Sequence, residues 1–194
     1  LALILNMLRD TNQLHKDVLA GLWKQNKGRE LSNCNVGIVG FGNIGKDLCD
    51  LIKPFSCNIS YFDLQFSEAK YNNQALKKNS LDEIFKNSDV ISIHLPLNDN
   101  TKNLITEKYL SIMKPNAILI NTSRGNIVNE KDLYDALSRN SIAGAAFDVL
   151  AAEPPENFEL IKLNNFFVTP HIGSSTLETI EKMGLAAINC ITDK

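Results

Sequence analysis

The sequence predicts an α/β fold: a doubly wound parallel sheet with helices on both faces. Three observations predict it. Short apolar runs recur along the chain, each closed by Gly, Pro or a polar residue. Segments with three- and four-residue apolar spacing lie between them. The first of those runs feeds directly into a glycine-rich turn. Strands buried on both faces read as continuous apolar runs, and their alternation with helices indicates parallel pairing.

In chain order, Leu1, Leu5, Leu8, Leu14 and Val18 predict helix over 1–20, broken near Asp10–Asn12 and ending at Gly21. Residues 22–35 are polar and irregular around Trp23, the sole tryptophan. The runs 35–40, 58–63, 89–95, 117–121, 144–149 and 165–169 predict six strands. Residues 43–53 predict a helix with Ile44, Leu48, Leu51 and Ile52 inward, stopped by Pro54. Ser80 to Glu83 forms a capping box opening a short helix. Thr106 opens a helix to about Met113, before Pro115, and Asn129 can cap a helix over 130–139. Ser175 to Glu178 is a second capping box, opening a C-terminal helix.

Composition narrows the function. The 194 residues are 44% hydrophobic and 22% charged, as in a globular domain with a sizeable core. Twenty basic against 22 acidic residues give a net charge of −2, which argues against nucleic acid or a membrane surface as partner. The opening apolar run, Leu1–Leu5, is far short of a membrane span. Cys34, Cys49, Cys57 and Cys190 show no C-x-x-C spacing for a metal and read as reduced thiols of a cytoplasmic protein. No signal peptide is expected, and a start at Leu suggests a fragment or a trimmed chain.

Gly40-Phe41-Gly42-Asn43-Ile44-Gly45 fits G-x-G-x-x-G. Alone the pattern is weak, but between a predicted strand and a predicted helix it has a mechanism. Gly40 allows the tight turn, Gly42 the approach of a pyrophosphate to the backbone, and Gly45 close helix–strand packing. The amides of the helix start then meet the phosphates. Asp63 ends the second strand, where a carboxylate can accept the adenosine ribose hydroxyls and repel a 2′-phosphate. Leu64-Gln65-Phe66 adds no cation to hold such a phosphate, so NAD is preferred to NADP. The plainer reading is a glycine-rich turn beside an exposed acid.

Three more segments stand after predicted strands, where open α/β sheets place ligands: 121–125, 148–154 and 169–173. They supply Arg124, Asp148, Glu153 and His171. Reduction of a 2-oxo acid needs a cation for the carboxylate or carbonyl, and an acid for the developing alkoxide. Arg124 suits the first through its planar fork. His171 suits the second, with Glu153 to fix its tautomer and stabilise the imidazolium. Taken singly, His171 reads as a structural histidine, Arg124 as a solvated turn residue and Glu153 as a loop acid.

Segments 36–45 (VGIVGFGNIG), 94–105 (HLPLNDNTKNLI), 118–130 (ILINTSRGNIVNE), 144–155 (GAAFDVLAAEPP) and 169–176 (TPHIGSST) occur in order along nearly the whole chain. Through them the chain resembles the NAD-dependent D-isomer-specific 2-hydroxyacid dehydrogenases, which include phosphoglycerate dehydrogenase, glyoxylate and hydroxypyruvate reductases, D-lactate dehydrogenase and formate dehydrogenase. The resemblance implies a Rossmann-type domain that transfers hydride between NAD(H) and a D-2-hydroxy or 2-oxo acid. It implies Arg124, Glu153 and His171 as the catalytic set. Asp63 would meet the adenosine ribose, and Asn43 and Ile44 the pyrophosphate. Pro96 and Thr101 would line the cofactor cleft. Thr122, Ser123, Asp148 and Gly173 would lie near the nicotinamide half.

Two residues depart from the family pattern: Asn43 stands where many members carry Arg, and Asn126 where they carry a second glycine. The resemblance also implies a division into a linking helix and arm (1–30), a nucleotide-binding core (31–174) and a helix (175–194) leading to a second lobe largely absent here. That lobe normally completes the substrate pocket, so this segment alone is expected to bind NAD and turn over poorly. Homodimers are usual in the family, and Trp23 would either join that contact or pack within its own chain. Two further readings stand beside the oxidoreductase. One is a non-catalytic, NAD-sensing interaction protein on the same fold, like the family's corepressors. The other is an adenosylhomocysteinase-like enzyme, disfavoured by the TPH and NTSRG segments.

Overall fold

The computed structural model describes residues 1–64, 70–71 and 74–192. Two helices open the chain, α1 (Ala2–Arg9) and α2 (Thr11–Leu19), separated by Asp10 in the left-handed conformation at φ 52°. The sheet follows. Its strands are β1 (Asn35–Val39), β2 (Asn58–Phe62), β5 (Lys77–Lys78), β6 (Val90–Ile93), β7 (Ile118–Asn121), β8 (Gly144–Phe147) and β9 (Phe166–Val168). A two-stranded antiparallel pair, β3 (Lys70–Tyr71) with β4 (Gln74–Ala75), stands outside it.

The sheet order is β5-β2-β1-β6-β7-β8-β9, and every pairing is parallel. The chain winds outward from β1 in one direction, then crosses back to β6 and winds in the other. The switch point therefore lies between β1 and β6, where such sheets hold nucleotides. All six predicted strands are present. The edge strand β5 is additional; two lysines carry no apolar signal, and Lys77 joins only by pairing with Ser60.

Alternation along the strands builds two cores. Val36, Ile38, Val90, Ile118, Ile120 and Ala146 pack with Ile4 and Leu8 of α1 and with α3 (Asn43–Ile52). Ile91, Ile93, Leu119, Ala145 and Phe147 face the other way. They meet α4 (Leu81–Asn87), α5 (Glu107–Leu110) and α6 (Glu130–Ser138).

Some details differ from the sequence expectation. In α3 the buried stripe is Gly45, Leu48, Cys49 and Ile52, while Ile44 and Leu51 are 62% and 57% exposed. Both apolar sets have helical spacing, and the close approach of Gly45 to the Gly40 carbonyl selects the first. A Cβ on Gly45 would sit 2.2 Å from that oxygen. The helix after Thr106 is one turn only, Glu107–Leu110, and ends short of the expected Met113. The last helix, α7 (Leu177–Thr192), is capped by Thr176, whose hydroxyl accepts from the Thr179 amide at 3.1 Å. The cap is thus one position later than the expected Ser175–Glu178 box. The Ser80–Glu83 box and the Asn129 cap form as expected.

Trp23 is 81% exposed, with Leu19, Leu22 and Val18 exposed nearby in sequence, so it does not pack within its own chain. The arm that carries it is pinned at its far end. Arg29 and Lys114 meet the buried Asp89 carboxylate at 3.1 and 3.2 Å, and the Asn35 amide donates to it at 2.8 Å. Among the described residues, no helix is long and apolar enough to cross a membrane.

Candidate active site

The carboxyl ends of β1, β6, β7, β8 and β9 carry the segments that the sequence singles out. After β1, Gly40 has φ 96°, and a Cβ there would meet the His94 carbonyl at 2.6 Å, so the turn requires glycine. A Cβ on Gly42 would meet nothing within 4 Å, which leaves the backbone open to an approaching group. Gly42 is also the N-cap of α3, which has no side-chain cap, and Asn43 and Ile44 begin its first turn. The Phe41 ring stacks on the buried Tyr61 ring, centroids 4.4 Å apart. The Phe41 amide donates to Asp63 Oδ2 at 2.7 Å, which holds the carboxylate beside the loop. A tight glycine turn, an uncapped helix start and an adjacent acid fit a dinucleotide. Of the segment read against NADP, Gln65 and Phe66 lie outside the described residues.

Beyond β6, Pro96 is exposed, whereas Thr101 is only 6% exposed. The Thr101 hydroxyl donates to the Pro96 carbonyl at 2.6 Å and accepts the Asn98 amide at 2.9 Å. These bonds shape the turn that follows β6.

After β7, the buried Asn121 side chain organises its own loop. Its Oδ1 accepts the Ser123 amide and hydroxyl, and its Nδ2 donates to the Arg124 carbonyl at 3.0 Å. Thr122 and Arg124 are exposed, and the Arg124 guanidinium donates to the Ser123 carbonyl at 2.6 Å.

After β8 and β9, two carboxylates hold one turn. Asp148, 4% exposed, accepts from the Thr169 hydroxyl (2.5 Å) and the Ile172 amide (2.9 Å) on Oδ1, and from the Gly173 amide (2.8 Å) on Oδ2. Three donors on one carboxylate fix residues 169–173, including His171 at φ 53°. For a non-glycine residue that conformation persists only where its surroundings impose it. His171 Nδ1 lies 2.7 Å from Glu153 Oε2, and Glu153 Oε1 accepts the Leu150 amide at 3.0 Å. The peptide between Glu153 and Pro154 is cis. Burial pushes the Glu153 carboxyl up. The His171 hydrogen bond, the Leu150 amide and the His171 charge outweigh this and the opposing Asp148 charge, and hold the carboxyl below its ordinary value. A cavity of about 330 Å³ flanks the pair, walled by Leu150, Pro154, Ile161, Val168 and Pro170. A larger one, about 800 Å³, opens at the opposite end of the sheet around Asn58 and Asn79, away from this chemistry.

The structure thus joins Glu153 to His171 and places Arg124 on the neighbouring loop, turned back on its own backbone. Asn121, Thr169 and Glu130 hold these loops, yet the sequence reading gave them no role. Asn121 does have a local signal, being a polar residue closing the apolar run of β7.

Residues 1–173 match the family described as D-isomer specific 2-hydroxyacid dehydrogenase, NAD binding domain. The chain belongs to this family. It is 40% identical over 200 residues to the glyoxylate reductase of Thermococcus litoralis, covering 98% of this chain and 60% of that protein. It is 35% identical to the D-3-phosphoglycerate dehydrogenase of Escherichia coli, covering 94% of this chain and 46% of that one. Among solved structures, D-lactate dehydrogenase from Aquifex aeolicus, complexed with NAD and lactic acid, superposes with a TM-score of 0.92 at 27% identity, covering 98% of this chain and 63% of that one. The chain therefore spans between 46% and 63% of the length of these relatives.

Proposed function

We propose that this chain is the cofactor-binding and catalytic half of an oxidoreductase that transfers a hydride between NAD(H) and a D-2-hydroxy or 2-oxo acid. The observation that carries the reading is the Glu153–His171 contact, set at the strand ends beside a glycine loop that fits a dinucleotide. Bound NAD supplies the hydride acceptor or donor. Gly40, Gly42, Asn43, Ile44 and Gly45 cradle its phosphates, and Asp63 meets the adenosine ribose. Pro96, Thr122, Ser123 and Gly173 border the rest of the cleft.

Nδ1 of His171 donates its proton to the Glu153 carboxylate, so the form that acts as acid is the imidazolium, with a second proton at Nε2. During reduction the imidazolium gives the Nε2 proton to the oxygen of the former carbonyl; Glu153 stabilises the cation before that transfer and keeps Nδ1 protonated after it. Arg124 swings from the Ser123 carbonyl to a substrate carboxylate, which its planar fork matches. Asp148 keeps the His171 turn in place. Residues 31–174 form the nucleotide-binding core between an arm (1–30) and a C-terminal helix (175–194).

The exposed Val18, Leu19, Leu22 and Trp23 support a homodimer through this domain, and the four thiols support a reducing, cytoplasmic setting. The decisive experiment is NADH oxidation with a panel of 2-oxo acids, glyoxylate and hydroxypyruvate first, with NADH binding followed in the same sample. A polypeptide of the relatives' length should oxidise NADH in a 2-oxo-acid-dependent way. The 194-residue segment alone should bind and turn over poorly. Binding without oxidation by the longer polypeptide, across the whole panel, refutes the reading.

A further inference from the structure

We propose that Glu130, assisted by Asn126, is a positioning residue that orients the Glu153–His171 pair through the Leu150–Ala151 backbone. The proposal rests on the hydride-transfer reading for its consequence, though not for its geometry.

Glu153 turns Oε2 to His171 while its Oε1 accepts the Leu150 amide at 3.0 Å. The position of that amide therefore sets the orientation of the carboxylate. The next residue, Ala151, is held on both sides. Its amide donates to Glu130 Oε1 at 2.6 Å, and its carbonyl accepts from Asn126 Nδ2 at 3.3 Å. Two consecutive amides thus serve two carboxylates, one in the proton-transfer pair and one on a helix.

The helix end of this strut is firm. Glu130 is the first residue of α6, whose start is capped by Asn129 on the Asp132 amide, and Leu133 and Leu137 bury the helix in the core. The other wall of the strut is Gly125, where a Cβ would sit 1.9 Å from the Leu150 carbonyl, so the two loops already touch. Asn126 adopts φ 61°, a conformation that costs a non-glycine residue, and its side chain reaches Ala151 from there. Neither Glu130 nor Asn126 lies in the glycine loop or the pair. Their effect passes through Ala151 and Leu150.

The test compares wild type with Glu130→Ala, Glu130→Gln and Asn126→Gly by NMR of the unliganded chain, with thermal melts as a check on folding. Glu130→Ala should speed amide exchange at Ala151 and Leu150 roughly tenfold, as for loss of one hydrogen bond. It should also weaken the downfield His171 Nδ1 proton resonance, while Leu133 and Leu137 stay protected. Glu130→Gln keeps an oxygen acceptor and should restore both signals. Asn126→Gly loosens Ala151 from its carbonyl side alone and should give a smaller change in the same direction. In a polypeptide of the relatives' length, Glu130→Ala should lower kcat roughly tenfold with KM for NADH unchanged. An unchanged Leu150 amide and His171 proton in Glu130→Ala, or a Glu130→Gln variant no better than alanine, overturns the proposal. Failure of the wild-type protein to reduce any 2-oxo acid sinks the hydride-transfer reading instead, and the spectra still decide the strut.

Discussion

Glu153 Oε2 lies 2.7 Å from His171 Nδ1, with each side chain more than a third exposed. Solvent at that exposure leaves an ion pair little to contribute to folding stability. The effect of the contact falls on orientation, since it fixes which imidazole nitrogen faces the cleft.

Glu153→Gln should therefore lower kcat roughly a hundredfold, within the range for a group that orients an acid–base histidine, with NADH affinity unchanged. Steady-state rates and calorimetric NADH binding check this. The folded carboxyl is held below its ordinary value of 4.5, so its negative charge is intact above that pH. It is lost only as pH falls through the lower folded value. Activity that fails on acidification well above 4.5 would point to a different group.

Asp63 accepts the Phe41 amide and is assigned the adenosine ribose. Asp63→Ala should weaken NADH binding roughly 10- to 100-fold, the range for hydrogen bonds to a charged group. It should weaken NADPH binding less, because the carboxylate that repels a 2′-phosphate is gone. Titration of both cofactors by calorimetry decides it.

Asp89 ties the arm to the sheet through Arg29, Lys114 and the Asn35 amide. Burial pushes its carboxyl up, but the Asn35 and Lys114 hydrogen bonds and the two cations hold it below its ordinary value. Its contribution is thus present above the ordinary carboxylate range and fades as pH falls through the lower folded value. Asp89→Asn should cost about 1–3 kcal/mol in urea unfolding at neutral pH, since it weakens charge-assisted bonds to a buried group.

His94 is held neutral by burial, its pKa lowered to about 4, with Nε2 on the Ser92 hydroxyl at 2.9 Å and Nδ1 buried without a partner among the described residues. The unfolded chain takes up this proton near pH 6.5 and the folded chain only near 4. Stability should then fall by about 3 kcal/mol on acidification between those values. A His94→Gln variant should lose that slope in denaturant melts run across this pH range.

Trp23 stands 81% exposed beside Leu22 on the arm. Trp23→Ala should shift the proposed dimer toward monomer at micromolar concentration, read by light scattering on a sizing column, with far-UV circular dichroism unchanged. An unaltered mass for the variant would place the contact elsewhere.

The sequence by itself determined what depends on short-range order. Apolar runs of four or five residues mark strands, because a strand buried on both faces needs no polar position. G-x-G-x-x-G marks a turn that other residues cannot make, as the Cβ clashes at Gly40 and Gly45 show. The segments carrying Arg124, Glu153 and His171 were legible for the same reason: each follows directly on a strand. Tertiary structure decided the rest. Ile44 and Leu51 fit helical spacing as well as Leu48 and Ile52 do, and only docking on the sheet selected the buried stripe. The edge strand β5 has no pattern of its own and exists by pairing with β2. That both Asp148 oxygens hold the 169–173 turn, and that Ala151 joins Glu130 to the Glu153 loop, depends on which strands are neighbours. Hydrogen bonds between loops are set by distances across the sheet, and spacing along the chain does not encode them.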